Sequence, residues 1–233
     1  MTLRILSGGA AHALVSRLAP LFKTRTGHDV EGTFGAVGAM RDKLLAGEPA
    51  DLLILTSALI GELVRTGRVL ADSVADVGAV RTGVAVRQSD AFPRVTSAGD
   101  LRRLLQSASE IFVPDTALST AGIHVRTVLD GLQIASEVAS RLRQFPNGAT
   151  AMKALAAATS PSPIGITQRT EILGTPGVAY VAALPDEHAL ATVYTAAIST
   201  RANLPREAGT LIALLTGAEG ESARAAAGFE PTE

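Results

Sequence analysis

Apolar positions in the first fifty-five residues switch between the two periods that separate strands from helices. "LRIL" (3–6) is a short strand, and after "SGGA" (7–10) Leu14, Leu18, Leu21 and Phe22 fall at i, i+4, i+7 and i+8, one face of an amphipathic helix. Pro20 lies inside that face and predicts a kink or a loosened hydrogen bond. Gly27, in "TRTGHD", marks the helix end. A strand follows over 29–34, then a glycine turn and a helix over about 39–46. "ADLLIL" (50–55) is a continuous apolar run, the mark of a strand buried on both faces. Strand and helix in alternation predict a parallel α/β sheet.

The pattern continues with a strand at "TGVAVR" (82–87) and a loop containing Pro93. "TSAGDLRRLL" opens a helix with Ser97 as N-cap and Asp100 three residues on, a variant of the capping box. "EIFVP" (110–114) is a strand, "STAGIHVRTVLDGL" a helix, "SEVASRLRQF" another helix, and "PNGATAMKALAAAT" a turn feeding a further one. "PIGITQ" (163–168), "VAYVAAL" (178–184) and "TVYTAAIST" (192–200) are strand-like. Two helices end the chain, the first punctuated by Pro205 and Gly217. The strand–helix–strand plan occurs twice, about 1–81 and 83–192, with no short-period repeat and no low-complexity tract.

Composition narrows the class. With 47% hydrophobic and 18% charged residues over 233 positions, the chain is globular and long enough for one large or two small domains. A formal net charge of −1 argues against a nucleic-acid-tracking surface, which needs concentrated basic charge. No cysteine is present, so disulfides, thiolate catalysis and cysteine-based zinc sites are excluded. Four scattered histidines carry no metal-ligand spacing, and no metal or cofactor is expected. The start, "MTLRILSGGA", lacks the features of a signal peptide, and no run approaches a membrane span. The expected location is cytoplasmic as written, periplasmic if a leader has been removed.

Four loop-to-helix junctions carry the candidate chemistry: "SGGA" (7–10), "FGAVG" (34–38), "STAG" (119–122) and "NGAT" (147–150). A helix start leaves about four N–H donors unpaired and carries roughly half a positive charge. Small residues let an anion approach that backbone, and Ser or Thr adds a hydroxyl. One such junction is ordinary turn chemistry; four on the same kind of connection, at the carboxyl ends of strands, point to a ligand. The expected donors are Ser7, Gly8 and Gly9; Gly35, Ala36, Val37 and Gly38; Thr120, Ala121 and Gly122; Asn147, Gly148 and Thr150, with Gln168 and Tyr194 beside them. "GxxxxGK[ST]" is absent and "SGGAAHAL" has the wrong spacing for a dinucleotide fingerprint. A carboxylate guest would also call for an arginine fork: Arg81 first, then Arg41 and Arg169. For catalysis, His12 and His124 are the candidate bases, while His28 and His188 read as surface turn residues.

Taken together, "LRILSGGAAHALVSRLAPLFKTRTGHDVEGTFGAVGAMRDKLLAGEPADLLIL", "GRVL", "GVAVR", "AGI" and "ALLTG…GFEP" resemble the type II periplasmic binding proteins of the molybdate-binding branch. The resemblance spans essentially the whole chain. It implies an α/β fold of two lobes, residues 1–81 plus 196–233 and 82–195, joined by two crossover strands that form a hinge. It also implies a small anion held by helix N-termini in the inter-lobe cleft. Loops of that branch are serine-rich where this chain has Ser7-Gly8-Gly9 and Gly35-Ala36-Val37-Gly38. Its late "AD…Y" stretch is replaced by "PIGITQRTEI", which favours a carboxylate over molybdate. "ILSGG", "LLAGEPADLLIL", "RTGVAVR" and "GITQ…EIL" are similar to a side-branch that includes aconitate isomerase. What that side-branch implies is the alternative function: a cofactor-free isomerase of an unsaturated di- or tricarboxylic acid, working by a 1,3-proton shift. The expected partners are a small anionic ligand and, if the chain is exported, an ABC permease. Neither nucleic acid nor membrane insertion is expected, and the oligomeric state stays open.

Overall fold

The computed structural model describes residues 1–232. The chain divides into two compact units, Met1–Val80 with Thr192–Glu233, and Arg81–Ala191. It passes from one to the other twice, after Val80 and after Ala191.

The first unit opens with β1 (Thr2–Gly8), α1 (His12–Thr26), β2 (Asp29–Gly35), α2 (Val37–Leu45), β3 (Leu52–Thr56) and α3 (Ser57–Arg65). β4 (Ala75–Arg87) begins in this unit and ends in the second. α1 buries Leu14, Val15, Leu18 and Phe22 and ends on Gly27 at φ 72°, whose N–H reaches the Lys23 carbonyl. Pro20 does not break it: Pro20 and Ser16, whose carbonyl loses its partner, both lie on the exposed side, where water can satisfy that carbonyl. α2 starts two residues earlier than its pattern suggests. Ala36 is extended (φ −61°, ψ 134°) and Val37 is buried, so the helix begins at Val37 and Gly38 lies inside it.

β1 pairs in parallel with β2 on one side and β3 on the other. All four leucine and isoleucine side chains of β3, Leu52 to Leu55, are inaccessible, as expected of a central strand. The sheet is not purely parallel, because β9 (Ala191–Ile198), returning from the second unit, runs antiparallel to β3. Buried Asp51 ties the unit together. Its carboxylate accepts from the amides of Arg4 (2.9 Å), Asn203 (2.6 Å) and Leu204 (3.0 Å), anchoring the approach to α9 (Pro205–Thr216).

The second unit contains α4 (Ala98–Ser107), β5 (Ile111–Pro114), α5 (Thr120–Gly131), α6 (Ala135–Val138), β6 (Leu142–Phe145), α7 (Gly148–Ala157), β7 (Ile164–Gln168), α8 (Arg169–Leu173) and β8 (Val178–Ala183). Its strands lie in the order β8-β4-β7-β5-β6. β5 is parallel to β6 and β7, and β4 is antiparallel to β7 and β8, so this sheet is mixed too. One face packs Val84, Val113 and Ile166 against Leu101 and Val125; the other packs Ala85 and Phe112 against Met152 and Leu155.

The helix expected over "SEVASRLRQF" is corrected here. One turn of α6 is followed by a short 3-10 turn and then the strand β6. Val138, Leu142 and Phe145 mimic a helical face in the sequence. Pairing with β5, from Ile111↔Leu142 to Pro114↔Phe145, wins over local propensity. Arg141 reinforces the break by donating to carbonyls at the end of α4, including that of Gln106 at 2.8 Å.

At the start of α4 the Ser97 half of the capping box forms, while the reciprocal bond shifts back one residue, from the Ser97 amide to Thr96. Asp100 N–H donates to Ser97 Oγ (3.1 Å), and the Thr96 hydroxyl and amide donate to Asp100 Oδ2 (2.7 and 3.1 Å). These bonds, the Thr96 hydroxyl first, lower the Asp100 carboxyl to about 2. Its folded value lies below its unfolded one, so its contribution is full above the ordinary carboxylate range and is lost as pH falls through about 2. Acid titration of stability is expected to be shallower in Asp100→Asn than in the parent between about pH 4 and 2, as read by circular dichroism. Among the described residues no helix is long and apolar enough to cross a membrane.

Candidate functional site

In the first unit the first two glycine junctions come together. β1 and β2 end side by side, with Gly8 the register partner of Gly35. Beyond Gly8 the chain makes a 3-10 turn over Gly9–Ala11 into α1; beyond Gly35 and Ala36 it enters α2. β3, the other neighbour of β1, ends at Thr56 and leads straight into α3. Three helix starts therefore stand at the carboxyl ends of three adjacent parallel strands. None of the three has a side-chain cap. As first residues of their helices, Gly9, Ala10, Val37, Gly38, Ala39, Ser57 and Ala58 have no carbonyl one turn back in the same helix for their amides to bond. The Thr56–Ser57 start was invisible to a search keyed on glycine, although "LTSALI" carries the hydroxyls such a start uses.

The glycines here are not needed for a left-handed backbone: none of Gly8, Gly9, Gly35 and Gly38 has a positive φ. Gly8 is needed for close packing, since a Cβ would lie 2.8 Å from Val37 Cγ1 and 2.9 Å from Tyr194 Cε1. A Cβ on Gly35 would touch only the flexible Met40 Cε, at 3.0 Å, and one on Gly38 would meet open space. Bare backbone facing open space is what a ligand can approach.

Several expected side chains are occupied elsewhere. Ser7 is fully buried and its hydroxyl donates to the Gly8 carbonyl (2.9 Å), which removes it as a donor to a guest. The Tyr194 ring is buried in the core of the first unit, edge-on to Phe229 at 6.2 Å. Arg41 is paired with Asp42 (2.8 Å) and Glu62 (3.7 Å), and the Asp42 hydrogen bond raises its pKa. His12 stays exposed at the first position of α1, its ring edge-on to Phe34 at 4.6 Å, beside the Gly35 turn.

The second unit repeats the plan. β5 and β6 end as register partners, Pro114 with Phe145, and β7, on the other side of β5, ends at Gln168. α5 starts without a side-chain cap, and as its first residues Thr120, Ala121 and Gly122 have no carbonyl one turn back in the helix for their amides to bond. Gly122 seats the helix: a Cβ would lie 2.0 Å from the Asp115 carbonyl oxygen.

The start of α7 is different, and here the expectation is corrected. Thr150 N–H donates to Asn147 Oδ1 (2.9 Å), and the Thr150 hydroxyl donates to the same atom (2.9 Å). The amides of Gly148 and Ala149 donate to the Glu171 carboxyl, which also accepts from the Gln168 amide and from the Thr167 hydroxyl (2.6 Å). Burial is the largest influence on Glu171 and leaves its carboxyl raised above the ordinary carboxylate value, although those four donors pull it down. Asn147, Gly148 and Thr150, expected to hold the guest, thus have their donors taken inside the protein.

Of the remaining candidates, Gln168 is buried at the N-cap position of α8 without a side-chain cap bond, and Arg169, the first residue of α8, lies over the Tyr180 ring, 5.2 Å from its centroid. Arg81, expected just before a strand, is half-buried within β4 and engaged in interactions of its own. His124 has Nε2 on the His188 carbonyl (2.8 Å), which makes that nitrogen a donor and leaves only Nδ1 as a base.

A relative 26% identical over 238 residues is the aconitate isomerase of a Pseudomonas species, the match covering 99% of this chain and 88% of that protein. The periplasmic molybdate-binding protein of Azotobacter vinelandii superposes with a TM-score of 0.84 at 15% identity, over 99% of this chain and 100% of that one. The sulfate-binding protein of Mycobacterium tuberculosis gives a TM-score of 0.76 at 18% identity, over 100% and 88%. At these identities the solved structures speak for the α/β periplasmic-binding-protein fold. The family model for bacterial extracellular solute-binding proteins matches residues 3–230, and the chain belongs to that family.

Proposed function

We propose that the protein binds a small anion, a carboxylate ahead of a tetrahedral oxyanion, on the open amides at the starts of α1 and α2. One observation carries this: the helix starts beside Gly8 and Gly35 are uncapped at adjacent strand ends, whereas α4 and α7 are capped by Ser97 and Asn147. A hydrogen bond to a charged group contributes about 1.5–3 kcal/mol net. Three or four of them reach the roughly 8 kcal/mol of a micromolar complex before association entropy is subtracted.

Thermal shift with citrate, aconitate isomers, sulfate and molybdate tests it. A guest at about 100 times its Kd should stabilise the fold by about 2.7 kcal/mol, or about 5–11 °C in Tm. A flat response across small carboxylates and oxyanions would refute the proposal.

A second reading, a cofactor-free isomerase of an unsaturated carboxylic acid, is favoured by the aconitate isomerase relative that spans nearly the whole chain. His12 is its candidate base, exposed at the start of α1. Proton NMR of the stabilising acid in heavy water decides: solvent deuterium entering the carbon skeleton supports catalysis, and an unchanged spectrum leaves binding alone. A transport role places the chain outside the cytoplasm with an ABC permease as partner; an isomerase role requires neither.

A further inference from the structure

The first three amides of α7 all have partners. That of Thr150 goes to Asn147 Oδ1 (2.9 Å), and those of Gly148 and Ala149 go to Glu171. Glu171 reaches them from the far side of the β7–α8 turn, and Gly148 is shaped to receive it. A Cβ there would lie 1.9 Å from Glu171 Oε2 and 2.0 Å from Thr167 Oγ1. An anion-binding helix mouth is thus present in the fold, built for a carboxylate, and occupied by one covalently attached.

We propose that the Glu171 carboxyl is a resident occupant that sets anion specificity, holding closed the site at the start of α7 while the start of α5 stays open. This role in specificity rests on the anion-binding function proposed above. Two or three amides suit the two oxygens of one carboxylate; the four oxygens of a tetrahedral dianion call for more donors.

Glu171→Ala empties the mouth without touching the backbone that forms it. Formate, a carboxylate with no side chain, is the probe. The variant should melt below the parent, and formate should raise its Tm by about 5 °C or more while leaving the parent within about 1 °C. Glu171→Gln fills the same space and should show no formate response. Calorimetry with sulfate should find affinity at least about tenfold tighter for Glu171→Ala than for the parent. Equal formate shifts in parent and variant, or a variant that stays unfolded in formate, would overturn the resident carboxyl; equal sulfate affinities would overturn its role in specificity. If the parent binds no small anion at all, the proposed function fails in the parent's own screen. The formate comparison, a difference between two proteins, still decides the occupancy of the α7 mouth.

Discussion

Gly122→Ala is expected to destabilise the protein by about 3 kcal/mol or more, a fall in Tm of about 6–12 °C. The new Cβ would lie 2.0 Å from the Asp115 carbonyl oxygen, 2.5 Å from its carbon and 2.6 Å from the Pro114 oxygen. All three are backbone atoms at the end of β5, so no side chain can swing away. α5 would have to lift from the strand end that aims its open amides. Gly38→Ala is the contrasting case, because nothing lies within 4 Å of the added carbon. Within α2 it should stabilise the fold by about 0.5–1 kcal/mol, since glycine is costly in a helix. Thermal melts of the two variants side by side check the pair. Equal and small shifts would mean that α5 is not seated on the Pro114–Asp115 turn.

Val37→Pro is expected to weaken anion binding by about 10- to 100-fold while the fold survives. Val37 is the first residue of α2, the position where proline is tolerated, and Ala36 before it already has the extended backbone that a following proline demands. As the first residue of α2 its N–H makes no bond within the helix, so its loss breaks none of the helix's own hydrogen bonds. It does remove one donor to the guest, about 1.5–3 kcal/mol if that donor meets a charge. Val37→Ala controls for the lost packing against Gly8 and keeps the amide. Isothermal calorimetry with the best anion from the screen should separate the two variants. Equal affinities would take the α2 amide out of the site.

Much of the fold was legible because hydrophobic period and punctuation agree. Gly27 ends α1, Ser97 caps α4 and Pro205 opens α9 where the patterns place them. Directions of strands were not legible. The antiparallel pairings of β4 and β9 are long-range choices that no local pattern encodes. β6 was hidden because its apolar spacing also fits a helix, and only its pairing with β5 decides between them. α8 was missed because it is a single short turn-and-a-half between two strands.

At the site, glycine spacing located the junctions but not their occupancy. "STAG" and "NGAT" look alike as sequence, yet one start is open and the other is closed by a glutamate twenty-three residues beyond Gly148. Ser7 illustrates the same limit: a serine at a strand end suggests a donor, and its neighbour's carbonyl takes the proton. Backbone amides, which carry most of the proposed chemistry, have no residue type of their own to read.

A 1H–15N NMR titration of the whole protein with its stabilising anion observes those amides one by one. Downfield proton shifts at Gly9, Ala10, Val37 and Gly38, with Gly148 and Ala149 unmoved, are the predicted result. An anion that binds while these first four resonances stay still, or that moves Gly148 and Ala149 instead, would contradict it.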